Sequence, residues 1–443
     1  MRAHQHLLQR ILQKLDAPLQ KIYVQSKSNA RKTETPNKGT TPCPMANKSV
    51  LISGIGVAGP TLAYWLGKSG FRPTIIEHAP MLRSGGYVID FWGLGYDIAE
   101  RMGLSDKINR AGYHIREMRI VNGKGERISG FGTNVFRELT GGRYVTIGRS
   151  DLSRLLFEKI KNDTEIVFGD EVVGLREEAD SVQVMFKHGG QRRFDLVIGA
   201  DGLHSAVRRV VFGSQDRFEK RLGYVVAAFE VSGYKPRDED VYVSYCQPGR
   251  MLGRVALKKD RTLFLFVFAK NNGARSDMFD QSAQKTLLRE VFDDGKWETS
   301  CILAEMERTQ DLYFDRVSQI KMPSWSQGRV ALVGDAAFCV SLMAGQGSAL
   351  AMMSAYVLAG ELAKARHEIA FASYEKLLRG FVENKQQGAE RFASAFAPKT
   401  RLGLFFRNQV IRAAAVPGLA RLTFGRDILD RLQLPDYQWP HLT

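Results

Sequence analysis

Residues 49–77 run Ser49-Val50-Leu51-Ile52-Ser53-Gly54-Ile55-Gly56-Val57-Ala58-Gly59-Pro60, continue through Leu62, Trp65, Leu66 and Gly70, and close on Thr74-Ile75-Ile76-Glu77. Val50 to Ile52 is a short apolar run of the kind that forms a buried parallel strand. The glycines then match G-x-G-x-x-G. Gly54 permits a tight turn, Gly56 lets backbone approach a pyrophosphate, and Gly59 lets the next helix pack on the strand. Val57 and Ala58 fill the intervening positions at the helix N-terminus, where N–H groups and the dipole favour phosphate. Pro60 suits a first helical turn, Leu62, Trp65 and Leu66 share one face, and Gly70 is a natural stop. Thr74 to Ile76 reads as a second strand. It ends at Glu77, which lies where an acid accepts a hydrogen bond from a ribose hydroxyl. Strand, glycine turn, helix and strand make a βαβ unit, and with it an α/β fold.

Two more segments have the same look of a strand running into a polar turn. In Asp195-Leu196-Val197-Ile198-Gly199-Ala200-Asp201-Gly202, continued by His204, Ser205 and Arg208, an Asp-Gly turn exposes Asp201 at a strand's C-terminal end. Ligands of α/β sheets gather at that edge. In Gly328-Arg329-Val330-Ala331-Leu332-Val333-Gly334-Asp335, Asp335 again offers an acceptor. Gly345-Gln346-Gly347 then allows close backbone approach before a helix expected over 347–364, whose N-terminus favours negative charge. Between the second and third segments, residues 221–319 change to β-rich alternation: Tyr224–Val231, Val241–Tyr245, Leu252–Leu257 and Thr262–Ala269. That pattern predicts an antiparallel sheet with one covered face.

The chain has 443 residues and a net charge of +16. Residues 1–44 hold eight Lys/Arg against Asp16 and Glu34, a net +6 that leaves +10 for the rest. The tail carries Leu7, Leu8, Ile11, Leu12 and Leu15 at helical spacing. It lacks the apolar block of a secretory signal, and its composition from Ser26 to Pro44 reads as disordered. A basic targeting peptide and a start at Met45 are the alternatives. Anionic cofactors account for the basic balance, and no arginine-rich or aromatic–basic run favours nucleic acid. The four cysteines, Cys43, Cys246, Cys301 and Cys339, are scattered, which argues against disulfides or a metal site and fits a cytoplasmic location.

The three motifs in this order resemble the p-hydroxybenzoate-hydroxylase-like class A flavoprotein monooxygenases over about residues 48–365. The middle region, residues 318–362 and Leu434-Pro435-Asp436-Tyr437 are similar to the tetracycline-destructase branch. The resemblance implies a Rossmann-like, glutathione-reductase-type FAD-binding domain with an inserted antiparallel-sheet substrate domain and a C-terminal helical segment. The boundaries are a tail at 1–45, the FAD domain at 46–220 and 320–398, the substrate sheet at 221–319 and a C-terminal helix at 399–443.

It further implies that Gly54, Gly56, Val57, Ala58 and Gly59 meet the FAD pyrophosphate and that Glu77 holds the adenosine ribose, with Arg83 nearby. Arg149 and Asp335 would lie against the cofactor, Gly345, Gln346 and Gly347 would meet the isoalloxazine, and Asp201 and Arg208 would serve FAD and NADPH. NADPH or NADH would be a transient donor, since no second G-x-G-x-x-G appears, and O2 a co-substrate. The implied reaction is hydroxylation of an aromatic or polyketide-like molecule through a flavin C4a-hydroperoxide. A same-fold reductase or oxidase, or a non-catalytic flavin- and ligand-binding protein, is the alternative.

No side chain is assigned as catalytic, because the flavin carries the chemistry. Phe229, Tyr242, Arg254, Phe266 and Met343 are substrate candidates, although alternation turns half of a strand's side chains toward a core. Relatives have prolines where Val340 and Leu342 stand, Asn at Ala349 and Asp at Ser354. The basic, amphipathic segment 402–432 reads as a helix packed across the domains, a lid, or a membrane-surface helix, in that order. A monomer or homodimer is expected.

Overall fold

The fold grows from the βαβ unit read above. In the computed structural model, which describes residues 47–82, 86–270, 280–342, 345–414 and 432–439, Ser49–Ser53 pairs in parallel with Arg72–Glu77 on one side and Leu196–Gly199 on the other. Glu165–Phe168 extends one edge, and Val330–Leu332, then the short antiparallel Ser326–Gln327, extend the other, giving six strands. All three motif turns therefore leave neighbouring strands at one edge of one sheet. The helix Ala58–Lys68 packs on it, and the helix Gly347–Lys364 packs on Ala58–Lys68 with almost every side chain buried, so it reads as apolar all round rather than amphipathic.

The stretch before the second motif's turn holds two strands. Gln191–Phe194 joins a small antiparallel sheet with Val182–Phe186 and Val172–Glu177, and Leu196–Gly199 joins the central one. The break is Asp195. Its carboxylate accepts from Lys48 Nζ (2.8 Å) and from Ser49 N (2.7 Å), pinning the chain where it changes sheets.

The second large sheet has seven strands, in the order Tyr313–Ile320, Glu219–Ser232, Arg261–Ala269, Arg250–Ala256, Val241–Gln247, Glu117–Val121 and Arg127–Gly132. The last two come from before residue 221, and Glu117–Val121 joins in parallel to Val241–Gln247. A cut at 220/221 therefore runs through this sheet. Both of its faces are covered, not one. On one side Phe229, Phe264, Phe266 and Phe268 pack against Leu288 and Phe292 of the helix Gln281–Phe292 and Ile302 and Met306 of the helix Thr299–Arg308. On the other side lie Val226, Val267, Met251 and Val317, with Leu342 against them. Residues 221–319 supply most of the strands and the two helices that bury one face.

Residues 432–439 lie back on the central domain. Trp439 meets Trp65 (4.6 Å between ring centroids), and Tyr437 meets Tyr356 (5.2 Å) and donates to Glu361 Oε1 (2.8 Å). Gly360 makes room for Tyr437, since a Cβ there would lie 2.3 Å from its ring.

Candidate functional site

The glycines of the first motif divide into two kinds. A Cβ on Gly54, whose φ is +108°, would lie 2.6 Å from the Ala200 carbonyl oxygen, and one on Gly59 would lie 2.0 Å from the Gly54 carbonyl oxygen. Both are close approaches of backbone to backbone that no side chain allows. A Cβ on Gly56 would meet only the Arg149 guanidinium, at 3.9 Å. Gly56 thus faces an open space with a cation on its far side, at the N-terminus of the helix Ala58–Lys68, and this space suits a pyrophosphate.

Gly56→Ala should therefore fold with a melting temperature close to that of the parent yet bind FAD at least about tenfold more weakly, because the methyl group enters the space meant for phosphate. Circular dichroism and quenching of flavin fluorescence separate the two effects.

Glu77 is buried at the end of its strand. Oε2 accepts from Ile55 N (3.0 Å) inside the glycine turn, and Oε1 accepts from Ala79 N (2.9 Å), with His78 Nδ1 also 2.9 Å away. Burial works against its charge, but the hydrogen bonds from His78, Ala79 and Ile55 outweigh it and hold the carboxyl at about 2. This folded value lies below the unfolded one, about 4.3. Its stabilisation is thus present above pH ~4.5 and lost as the pH falls toward 2, amounting to about 2–3 kcal/mol. Glu77→Gln should remove most of that pH dependence, as followed by urea unfolding at pH 3 and pH 6.

Arg149 opens the helix Arg149–Ile160 and is accessible although protein surrounds it closely, as befits a residue lining a deep hollow. Tyr87 and Asp335 lie near enough to firm its charge, and burial pushes the Tyr87 phenol up to about 12. Asp335 follows the strand Val330–Leu332 and Gly334, whose φ is +59°. Burial raises its pKa while Arg149 opposes the shift. A Cβ on Gly347 would stand 3.8 Å from Asp335 Oδ1, so this acid sits at the N-terminus of the long helix, next to Gly345 (φ +66°) and the largely buried Gln346.

The second motif plays a different part. Asp201 Oδ2 accepts from Ala206 N (2.9 Å) and Val207 N (3.1 Å), while its Oδ1 is buried without a partner. Arg208 has almost no accessible surface. Its guanidinium donates to the carbonyls of Ala336 (2.9 Å) and Leu203 (2.5 Å) and to Gln215 Oε1 (3.2 Å), bracing the second motif against the third. Arg83 and Met343 lie outside the described residues.

The departures from the family pattern have local causes. Ser354 Oγ accepts from Gly334 N (3.0 Å) and so supplies the acceptor that fixes the turn before Asp335. Ala349 crosses Gly95 of the helix Leu94–Arg101 so closely that a Cβ on Gly95 would lie 2.5 Å from Ala349 Cα. Val340 is buried in the core, whereas Leu342 reaches the inner face of the seven-stranded sheet.

Arg149 and Asp90 are accessible yet closely surrounded by protein, which marks a hollow between the motif edge and that inner face. Pleating separates the candidates chosen for it. Tyr242 is on this side, its hydroxyl buried without a partner, and burial pushes its pKa well up. Phe229 and Phe266 point the other way, into the core beneath the two helices. Arg254 does so too, paired with Asp238 Oδ2 (2.7 Å) and Glu298 Oε2 (3.2 Å). These three are thus placed as structural residues.

The hollow holds residues the sequence reading did not select. Tyr313 packs on Tyr87 (5.3 Å). Asp90, on the strand Val88–Trp92, accepts from Thr146 Oγ1 (2.6 Å) and lies near enough to Tyr242 to raise its pKa further. Period-two alternation along Tyr313–Ile320 would have pointed to Tyr313. Nothing local marks Asp90, which meets the sheet only through the fold.

The FAD cofactor fits what these residues offer: an open glycine turn, the cation Arg149 and an acceptor at a helix N-terminus. The comparisons with known proteins agree. Residues 47–376 match the family model described as an FAD binding domain. A "Flavin-dependent monooxygenase" of Legionella longbeachae serogroup 1 (strain NSW150) is 36% identical over 369 residues, 80% of this chain and 90% of that protein. An uncharacterised protein of Mycobacterium tuberculosis (strain ATCC 25618 / H37Rv) is 39% identical over 350 residues, covering 76% of this chain and 92% of its own length. The crystal structure of the tetracycline destructase Tet(51) superposes with a TM-score of 0.75 at 32% identity, over 89% of this chain and all of its own. With the three motifs converging on one edge of the central sheet, the chain belongs to the class A FAD-dependent monooxygenases.

Proposed function

We propose that this protein uses NADPH and O2 to add one oxygen atom to an aromatic or polyketide-like small molecule. The observation that supports this best is the recess facing the motif edge, where Arg149 and Asp90 are accessible yet closely surrounded by protein, beside the apolar inner face that Leu342 and Tyr313 pack on. FAD, when bound, would supply the redox chemistry, with the nicotinamide donor as reductant and O2 as co-substrate. Gly56 and Arg149 would hold its pyrophosphate, Asp335 its ribityl or ribose hydroxyls, and the long helix from Gly347 would stabilise negative charge at its ring.

The rest is the work of this chain's side chains. A substrate filling the hollow would displace water from it, which protects a reactive oxygen species from wasteful decay. Burial holds Tyr242 as a neutral phenol, and its unpartnered hydroxyl, covered over Gly253, would pair with a substrate oxygen once a small shift of its neighbours uncovers it. A multi-ring phenol suits such a hollow, in line with the tetracycline destructase among the solved structures.

The test is NADPH oxidation by FAD-loaded protein across a panel of phenols and tetracyclines, with product masses measured under labelled O2. Substrate-stimulated oxidation with one labelled oxygen in the product is expected. Oxidation with all the oxygen appearing as peroxide would leave an oxidase, and ligand binding without oxidation would leave a binder. Tyr242→Phe should raise KM for the responding substrate by about tenfold while FAD affinity stays unchanged.

A further inference from the structure

The helix Arg401–Ala414 has two unlike faces. One is applied to the seven-stranded sheet: Ser129 Oγ donates to the Asn408 carbonyl (3.2 Å), Arg412 donates to the Ile128 carbonyl (2.7 Å), and the Arg407 guanidinium turns inward to Cys246 Sγ (3.3 Å). The other face is open and apolar. Leu402, Phe405, Phe406 and Val410 are 70%, 57%, 60% and 52% exposed, at positions that share one side of a helix. The two phenylalanine rings touch each other, 5.8 Å apart. Single exposed apolar side chains are ordinary, but a continuous stripe with two aromatic rings marks a surface meant to be covered.

Charge selects what covers it. From Lys399 to Ala414 the chain carries Lys399, Arg401, Arg407 and Arg412 and no acidic residue, and the whole protein carries +16. Lys399, Arg401 and Arg412 are exposed beside the stripe. A second copy of this chain on the same face would set like charge against like. An anionic lipid surface complements both features at once, taking the phenylalanines into its headgroup–acyl boundary and the basic side chains onto its phosphates.

We infer that the open face of Arg401–Ala414 docks this protein on an anionic membrane surface. The attachment is peripheral, since among the described residues no helix is long and apolar enough to cross a membrane. The docked helix is also the one that covers the hollow side of the sheet near Cys246. If the function proposed above holds, an apolar substrate dissolved in the bilayer meets the enzyme beside its own cavity. The docking itself does not depend on that function.

The experiment sediments the full-length, FAD-loaded protein with vesicles of pure phosphatidylcholine and of phosphatidylcholine mixed with phosphatidylglycerol. Binding to the mixed vesicles, weakened by salt, is expected. Combining Phe405→Ser with Phe406→Ser should reduce it at least about tenfold, with FAD content and melting temperature unchanged because both side chains are exposed. Three results would each overturn the inference. One is no binding to the mixed vesicles. Another is binding that the double variant retains, which would place the attachment on another basic segment. The third is a dimer in solution that the double variant dissociates, which would make a second copy the occupant.

Discussion

Gly59→Ala gives a protein that does not hold FAD and melts far below its parent. The added Cβ would stand 2.0 Å from the Gly54 carbonyl oxygen and 3.1 Å from its carbon. The obstacle is backbone on both sides, so no side-chain rotation relieves it. Either the helix Ala58–Lys68 lifts from the sheet or the glycine turn opens, and each moves the N–H groups that face the pyrophosphate. Overpacking of this severity costs about 3 kcal/mol or more. The check is thermal unfolding of the apoprotein together with flavin content after purification. The contrast with Gly56→Ala is the informative part: two alanines three residues apart, one felt by the fold and the other by the ligand. Equal melting temperatures for the two variants would show that the backbone contact at Gly59 is softer than this geometry requires.

Arg208→Leu should be nearly as damaging, for a different reason. The guanidinium holds the Ala336 carbonyl one residue after Asp335, the Leu203 carbonyl inside the second motif, and Gln215. Leucine leaves two buried carbonyls with fewer donors. The loss is about 3 kcal/mol, reduced somewhat because the buried charge and its unpartnered Nε disappear with it. Asp335 is displaced with the turn, so FAD affinity falls together with stability. Arg208→Lys restores one donor of the three and should recover only a minority of both. Equilibrium denaturation and a flavin titration on the same three proteins provide the comparison. A variant that keeps its stability while losing only its response to NADPH would mean that Arg208 serves the nicotinamide donor and not the brace.

What the sequence discloses follows from how local each feature is. Gly54, Gly56, Gly59 and Glu77 lie within one βαβ unit, and the hydrogen bond from Ile55 N to Glu77 spans only 22 residues. The unit's pattern therefore contains its own geometry. The helix from Gly347 to Lys364 was legible in the same way, from a glycine start and an unbroken apolar run.

The substrate side was not. Alternation along Glu219–Ser232 says that Val226 and Phe229 face opposite ways, but nothing in the strand says which way is the hollow. The largest side chains were natural candidates for a pocket, and they went instead to the sheet's other face, where two helices give them more to bury against. Arg254 followed them because Asp238 and Glu298 are there to pair with it. Glu117–Val121 joined the second sheet by a parallel pairing to a strand more than a hundred residues onward, a contact with no local sign. Asp90 entered the hollow on the same terms.

The docking of residues 432–439 on Trp65 and Tyr356 sets an order of events during synthesis. The helix Ala58–Lys68 and the turn that faces the FAD pyrophosphate leave the ribosome early, while the aromatic side chains that complete the helix's outer packing leave it long afterwards. Until then Trp65 has lost a neighbour and the furrow at Gly360 stands open. A chain halted before this segment lacks these ring contacts, so the helix beside the glycine turn is held less firmly. The aromatic strap thus makes the helix beside the glycine turn depend on a segment synthesised long after it.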